Sequence, residues 1–476
     1  MTEPRTDLID LPALGPNGAY RALNRATVGD VSGTPVAEIS LVPSLFVQRS
    51  LTAARRAAGL PVEERIDLIA RAGLLFATGE LGGQTVAEYE HAVSRVGGIP
   101  APVVRTTTAA IALRLAELDR GIQLARPRGD AGDWRTVPTH AGNGVWTRRG
   151  NVFAVLAAGN HPGPHSLWPE ALALGYRVVI RPSRREPFTP YRLVLALREV
   201  GFGPDLVQYL PTDHERADHL VAGADLGLVY GGEDVVRKYA TDPSVLLQGP
   251  GRSKILLTRD SDWREHLETI VESVSHHGGT GCVNTTAVFV EGDPGPLCQA
   301  LAERFAALPS LPPEDEKAVL PVQPAASARA IAAFLERRAI GTRPWLGGAD
   351  VVHELGDGSA VLRPAVHQLD RPDAPQAGIE LPFPCVWVAP WTPEAGIAPL
   401  RDSLVLTAIT RDAELVDRLL DEPGIRNLYL GDQHTYRMEP GLPHDGYLSE
   451  FLMRSKSVVR DEHGPAPVPR AETRPR

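Results

Sequence analysis

The stretch from 151 to 248 constrains this chain most. Short runs rich in β-formers, at 152–157, 177–180, 206–210 and 226–230, alternate there with longer runs of helical periodicity. Strands separated by helices in this way build βαβ units, and hence a parallel sheet. A second region, 249–427, repeats the mixture with its own strands at 287–290 and 385–388. A chain of 476 residues exceeds what one hydrophobic core organises, so two α/β lobes are expected.

From 50 to 118 the pattern is helical: Pro61 precedes Val62-Glu63-Glu64-Arg65-Ile66-Asp67-Leu68-Ile69, whose apolar residues recur at three and four. Between 126 and 149 Gly, Pro, Thr, Trp and His dominate, which predicts a protruding strand pair or arm. The Pro-rich stretch 463–476 cannot build a core and is expected to be disordered. The polar first seven residues lack the apolar core of a signal peptide. Apolar runs stop well short of the roughly 20 residues that span a bilayer. A cytoplasmic protein with no membrane contact is expected. A formal charge of -9 argues against a general nucleic-acid binder, which needs a basic face. The three cysteines, Cys282, Cys298 and Cys385, are odd in number and lack ligand-like spacing, so neither a disulfide framework nor a metal site is expected.

Four segments carry chemistry. Val155 to Gly163 sets Gly159 and Asn160 directly after a strand, at the carboxyl edge where open α/β sheets bind ligands. Arg177 to Arg185 is a strand ending in Arg181, Ser183, Arg184 and Arg185, whose guanidinium forks suit phosphate although arginines are mostly surface residues. Gly231 and Gly232 follow a third strand and permit close backbone approach to a cofactor. In His276-His277-Gly278-Gly279-Thr280-Gly281-Cys282 the glycines open space around a sulfur. A cysteine is usually inert packing, but an accessible one is a nucleophile. With a free-thiol pKa near about 8.5 it needs a local helper, for which His276 and His277 are the nearest in sequence.

Taken in order, these segments resemble the aldehyde dehydrogenase superfamily from about residue 50 to 459, with Glu380-Leu381-Pro382-Phe383-Pro384 similar to the family's glutamate and phenylalanine motif. The resemblance implies a Rossmann-type nucleotide-binding domain (1–126 and 151–248), a catalytic α/β domain (249–427), and an oligomerisation arm and C-terminal segment (127–150 and 428–462). It also implies a homodimer or homotetramer. By the same likeness Cys282 is the nucleophile, Asn160 an oxyanion donor, Arg181, Ser183, Arg184, Gly231 and Gly232 bind the nucleotide, and Glu380 and Phe383 hold the nicotinamide. The substrate funnel is expected around Trp168 and His277, with a contribution from near His434.

Three departures qualify this. Gln248 stands where the family has a water-activating glutamate, Arg184 stands where a glutamate commonly binds the adenine ribose, and Glu380 to Phe383 is one residue longer than the common spacing. An amide is no general base, and an arginine suits a 2'-phosphate, so NADP is expected over NAD. The resulting expectation is NADPH-dependent reduction of an acyl thioester, carried on CoA or a carrier protein, through a Cys282 acyl-enzyme. The similarity of Gln248-Gly249-Pro250-Gly251 to CoA-acylating members points the same way. The alternatives are oxidation of an aldehyde to an acid, with His276, His277 or Glu380 activating water, and a non-catalytic oligomeric binding protein.

Overall fold

The computed structural model describes residues 8–137, 142–439 and 441–461; the polar start and the stretch 463–476 lie outside the described residues. Two seven-stranded sheets form the frame. The first runs Val245–Gln248, Leu226–Tyr230, Val152–Leu156, Arg177–Arg181, Val207–Tyr209, Ala13–Gly15, Gly18–Tyr20, in that spatial order. Its first five strands are parallel, and the last two add antiparallel at one edge. The second runs Arg343–Leu346, Ala365–Gln368, Cys385–Pro390, Thr285–Val290, Ser253–Leu257, Ser403–Ile409, Ile425–Leu430, parallel throughout except at its first strand. This sheet ends at Leu430, past the boundary expected at 427, because Asn427 to Leu430 continue the ladder against Val405 to Ala408.

The central strands, such as Val152–Leu156, Arg177–Arg181, Ser253–Leu257 and Thr285–Val290, are buried on both faces, as a sheet covered on both sides requires. Phe153, Val155, Val178 and Ile180 enter a core shared with the helices Val62–Thr78, Ala101–Ala116 and Phe188–Val200. The alternate residues Val152, Ala154, Leu156 and Val179 face the helices Ser44–Arg56 and His214–Ala222. The second sheet repeats the scheme, with Leu256, Phe289 and Trp387 on one face and Ile255, Val288 and Val386 on the other. The helical region behaves as its periodicity predicts: Val62–Thr78 begins directly after Pro61. Val86–Gly97 is opened by a reciprocal Thr85–Glu88 capping box and closed by left-handed Gly98.

Among its described residues the stretch 126–149 contributes one strand, Asn143–Arg148, and its antiparallel partner is the distant Met453–Val458. The two make an exposed ribbon separate from both large sheets. No helix among the described residues is long and apolar enough to cross a membrane.

Trp387 is fully buried in the second sheet, and its Nε1 donates to the Ile379 carbonyl at 3.0 Å, which ties the segment leading to Glu380 onto the strand. Trp387→Ala is expected to lower the unfolding free energy by about 3–5 kcal/mol in a urea titration, with Trp387→Phe losing clearly less.

Candidate active site

The register of the first sheet brings four strand ends level: Leu156 pairs with Arg181 and with Val229, and Tyr230 with Gln248. Chain order reverses between Val152–Leu156 and Leu226–Tyr230, so the loops after these two strands diverge to opposite faces and leave a crevice. A cavity of about 730 Å³ opens there. On this side it is walled by Asn160, Arg181, Ser183, Gly231, Gly232 and Gln248. Facing them are His277, Cys282 and Glu380, which come from loops at the amino ends of the second sheet's strands. The cavity therefore lies between the carboxyl edge of one sheet and the amino edge of the other.

Two sequence expectations are corrected. Trp168 does not line the funnel: it is fully buried, its Nε1 donating to His165 Nδ1 at 3.3 Å, and its neighbours Ser166 and Leu167 reach the cavity instead. Phe383 is likewise buried, in the second lobe's core, because Gly279 presses on the Phe383–Pro384 peptide; Glu380 alone of that motif faces the cavity. Arg184 is exposed and outside the cavity wall, which Arg185 joins; the Arg185 amide donates to Ser183 Oγ at 3.2 Å and so turns the chain.

The loop carrying Cys282 is fixed by close backbone approach. A Cβ on Gly251 would stand 1.8 Å from the Cys282 carbonyl oxygen, and one on Gly279 2.6 Å from Pro384 N, so only glycine fits at either. His277, Gly278 and Gly279 are successively left-handed (φ 52°, 74° and 67°). His277 bears a cost of about 1–2 kcal/mol for that conformation. Asn284 ties the loop: its Oδ1 accepts from Gly281 N at 2.8 Å, and its Nδ2 donates to the Ser273 and His276 carbonyls. Ser253 Oγ donates to the Cys282 carbonyl at 3.0 Å. Asn160 Nδ2 donates to the Thr280 carbonyl at 2.9 Å, joining the two lobes' loops at the cavity floor. An amide carries two N–H donors, so one bond does not exhaust it.

Glu380 does more than face the cavity. Its Oε2 accepts from Arg252 N at 2.8 Å, so it braces the 250–252 turn beside Cys282 while burial raises its pKa. One wall is a stack of rings, with His161 on His277 (centroids 5.0 Å), His277 on His276 (3.7 Å) and His276 on Tyr436 (3.7 Å). Burial lowers the three histidines to about 3, 4 and 3 for His161, His277 and His276, so this wall is neutral at physiological pH. His434 stands behind it, its Nε2 2.8 Å from Glu272 Oε2.

Half-buried Cys282 has a partner the sequence did not reveal. His444 Nε2 lies 3.4 Å from its Sγ, delivered by the segment that follows the second sheet's last strand. Burial, then Glu380 and Asp445, push the thiol up to about 12, and burial pushes His444 down to about 4, so the resting pair is neutral thiol and neutral imidazole. The segment is held by Arg114 on the Met438 carbonyl, by Asn427 on the His444 carbonyl and by an Arg426–Asp445 ion pair. No recognised motif surrounds Pro443-His444-Asp445-Gly446, and 162 residues separate the pair. Nothing local in the sequence could have found it.

Known proteins share this architecture. Residues 27–397 match the aldehyde dehydrogenase family. Aldehyde dehydrogenase 1A1 of Equus caballus is 26% identical over 170 residues, covering 33% of this chain and 34% of the horse protein, so the match spans about a third of that relative's length. Two solved structures superpose over nearly the whole chain. The 1-pyrroline-5-carboxylate dehydrogenase from Thermus with bound NAD has a TM-score of 0.80 at 17% identity, with 95% of this chain and 93% of that one covered. An NADP-dependent enzyme of E. coli has 0.80 at 16%, with 96% and 99% covered. At such identities the likeness speaks for the fold. With the family match extending over more than three quarters of its length, the chain belongs to the aldehyde dehydrogenase family.

Proposed function

We propose that the protein is an NAD(P)-dependent oxidoreductase that oxidises an aldehyde to a carboxylic acid through a covalent intermediate on Cys282. One observation carries this reading: an accessible thiol faces a cavity on whose opposite wall stand the strand ends suited to a nucleotide, with an imidazole at the sulfur to take its proton. The first lobe binds the nucleotide, the second carries the nucleophile, and the ribbon of 143–148 with 453–458 is the oligomerisation arm. A nucleotide fits the first lobe's edge: Gly232 is open to solvent with room for backbone approach, and Arg185 stands on the wall. When bound it accepts hydride from the substrate carbon. The chain's own residues do the rest. Cys282 Sγ adds to the aldehyde carbon, and the Cys282 N–H and the Asn160 amide steady the oxygen that becomes negative. The neutral ring stack gives the substrate an apolar wall.

Acyl-thioester reduction is the second reading, favoured by Gln248, whose amide lines the cavity and cannot act as a base. Its premise that water would meet no proton acceptor is weakened by His444. The two are separated by products. With NADP+ and an aldehyde panel, free acid and reduced cofactor in equal amounts support oxidation; aldehyde formed from acyl-CoA and NADPH, without acid formation in the first assay, overturns it. In either direction Cys282→Ser abolishes turnover. Asn160→Ala lowers kcat by about 10²- to 10³-fold, the loss typical for one oxyanion donor, with a smaller change in KM.

NADP preference rests on the exposed Arg184 and the cavity-lining Arg185 at the strand end. The next carboxylate in the chain, Glu186, is buried and accepts from Thr189 N, so it does not offer a ribose ligand. Replacing both arginines by glutamate is expected to weaken NADPH binding about tenfold or more, the worth of one charge-assisted contact. NADH binding should change little. Equal loss for both cofactors, read by fluorescence titration, removes the preference.

A further inference from the structure

We propose that His444 is a catalytic residue of this site: its Nε2 takes the Cys282 proton as sulfur attacks, and later takes a proton from the water that releases the acyl group. The inference deepens the preceding reading and rests on its choice of Cys282 as nucleophile.

The contact itself is the first support. Nε2 stands 3.4 Å from Sγ, within reach of a thiol hydrogen bond, and its acceptance of that proton puts the ring's own hydrogen on Nδ1. The second support lies behind the ring. Nδ1 is buried and makes no hydrogen bond within the protein. His444 also lines a second, smaller cavity of about 90 Å³, room enough for water. Gln248, Glu170 and Asp445 line it too, and a buried oxygen of Glu170 is likewise without a partner. Gln248 and His444 belong to the walls of both cavities, so the imidazole stands between the reaction chamber and a pocket whose polar groups, Glu170 and Asp445 among them, could take its proton onward. Gln248 occupies the position from which a carboxylate is missing, and the base comes from the C-terminal segment instead.

The charges around the pair are mixed. Glu380 and Asp445 raise the thiol, while Asp445 raises and Arg114 and Arg426 lower His444. The buried Tyr230 hydroxyl also lies in the thiol's field, and Glu117 and Glu439 complete the acidic wall of the small cavity. An imidazole held near 4 is unprotonated across the working range, as a base must be. A thiol held near 12 does not ionise by itself, so proton and sulfur must move together. General-base assistance of this kind is worth about 10²- to 10⁴-fold.

The step balances without a redox partner when an activated ester supplies the acyl group. Cys282 Sγ forms the bond to the carbonyl carbon, its proton passes to His444 Nε2, and the aryl oxide departs with that proton. Water then adds to the thioester, giving a proton to Nε2. The C–S bond breaks, sulfur recovers the proton, and the free acid leaves.

The test uses the full-length protein and two cofactor-free readouts, with Cys282→Ser as the blank. The first is alkylation of Cys282 by iodoacetamide from pH 6 to 9. The expected result is a nearly level rate for the native protein. His444→Gln should be slower by about 10²-fold at pH 7 and rise about tenfold per pH unit, as a thiol depending on hydroxide does. The second is 4-nitrophenyl acetate turnover, where His444→Gln should slow both the burst and the steady state, and His444→Gly should regain rate with added imidazole. Circular dichroism confirms that each variant is folded; the backbone anchor from Asn427 to the His444 carbonyl survives both substitutions. Native-like rates and pH profile in folded His444→Gln overturn the proposal and leave the aldehyde reading standing. A His444-dependent thiol in a protein that reduces thioesters and ignores aldehydes does the reverse.

Discussion

The approach of the Gly251 backbone to the Cys282 carbonyl is the contact on which the site depends. Two loops from neighbouring strands of the second sheet meet there with no space for a side-chain carbon. Ser253, Asn284 and Glu380 then fasten the same few residues by hydrogen bonds, so the main chain from which the sulfur projects is fixed. A nucleophile held this way meets its substrate with little ordering left to do, which is how an enclosed site converts binding into rate.

The first sheet solves a different problem. Its level strand ends make a continuous rim, and reversal of chain order opens that rim beside the strand whose following loop carries Asn160. The Asn160 bond to Thr280 closes the distance between the lobes there. The strand ends proposed to hold a nucleotide and the loop bearing Cys282 thus belong to separate sheets that share one seam.

Much of this was legible in the chain. Alternating apolar runs marked both sheets, since parallel strands covered on two faces leave a strong and local signal. The order of Gly159-Asn160, Gly231-Gly232 and Cys282 located the cavity, because each sits where a strand meets a loop. Side-chain direction was less legible. Trp168 and Phe383 were read as cavity residues from the family resemblance, yet one residue's shift along a turn sends a side chain to the core. Arg184 and Arg185 differ in the same way. His444 was invisible because its role comes from tertiary folding across 162 residues, without periodicity or motif to announce it.

The exposed ribbon gives that imidazole an unexpected neighbour. From His444 the chain passes through the short helix Leu448–Leu452 directly into Met453–Val458, the strand paired with Asn143–Arg148. The ribbon and the Cys282–His444 contact therefore share one short tether. Only residues 445–452 stand between the imidazole and that strand, so whatever holds the ribbon in place also limits how far His444 can draw away from Cys282.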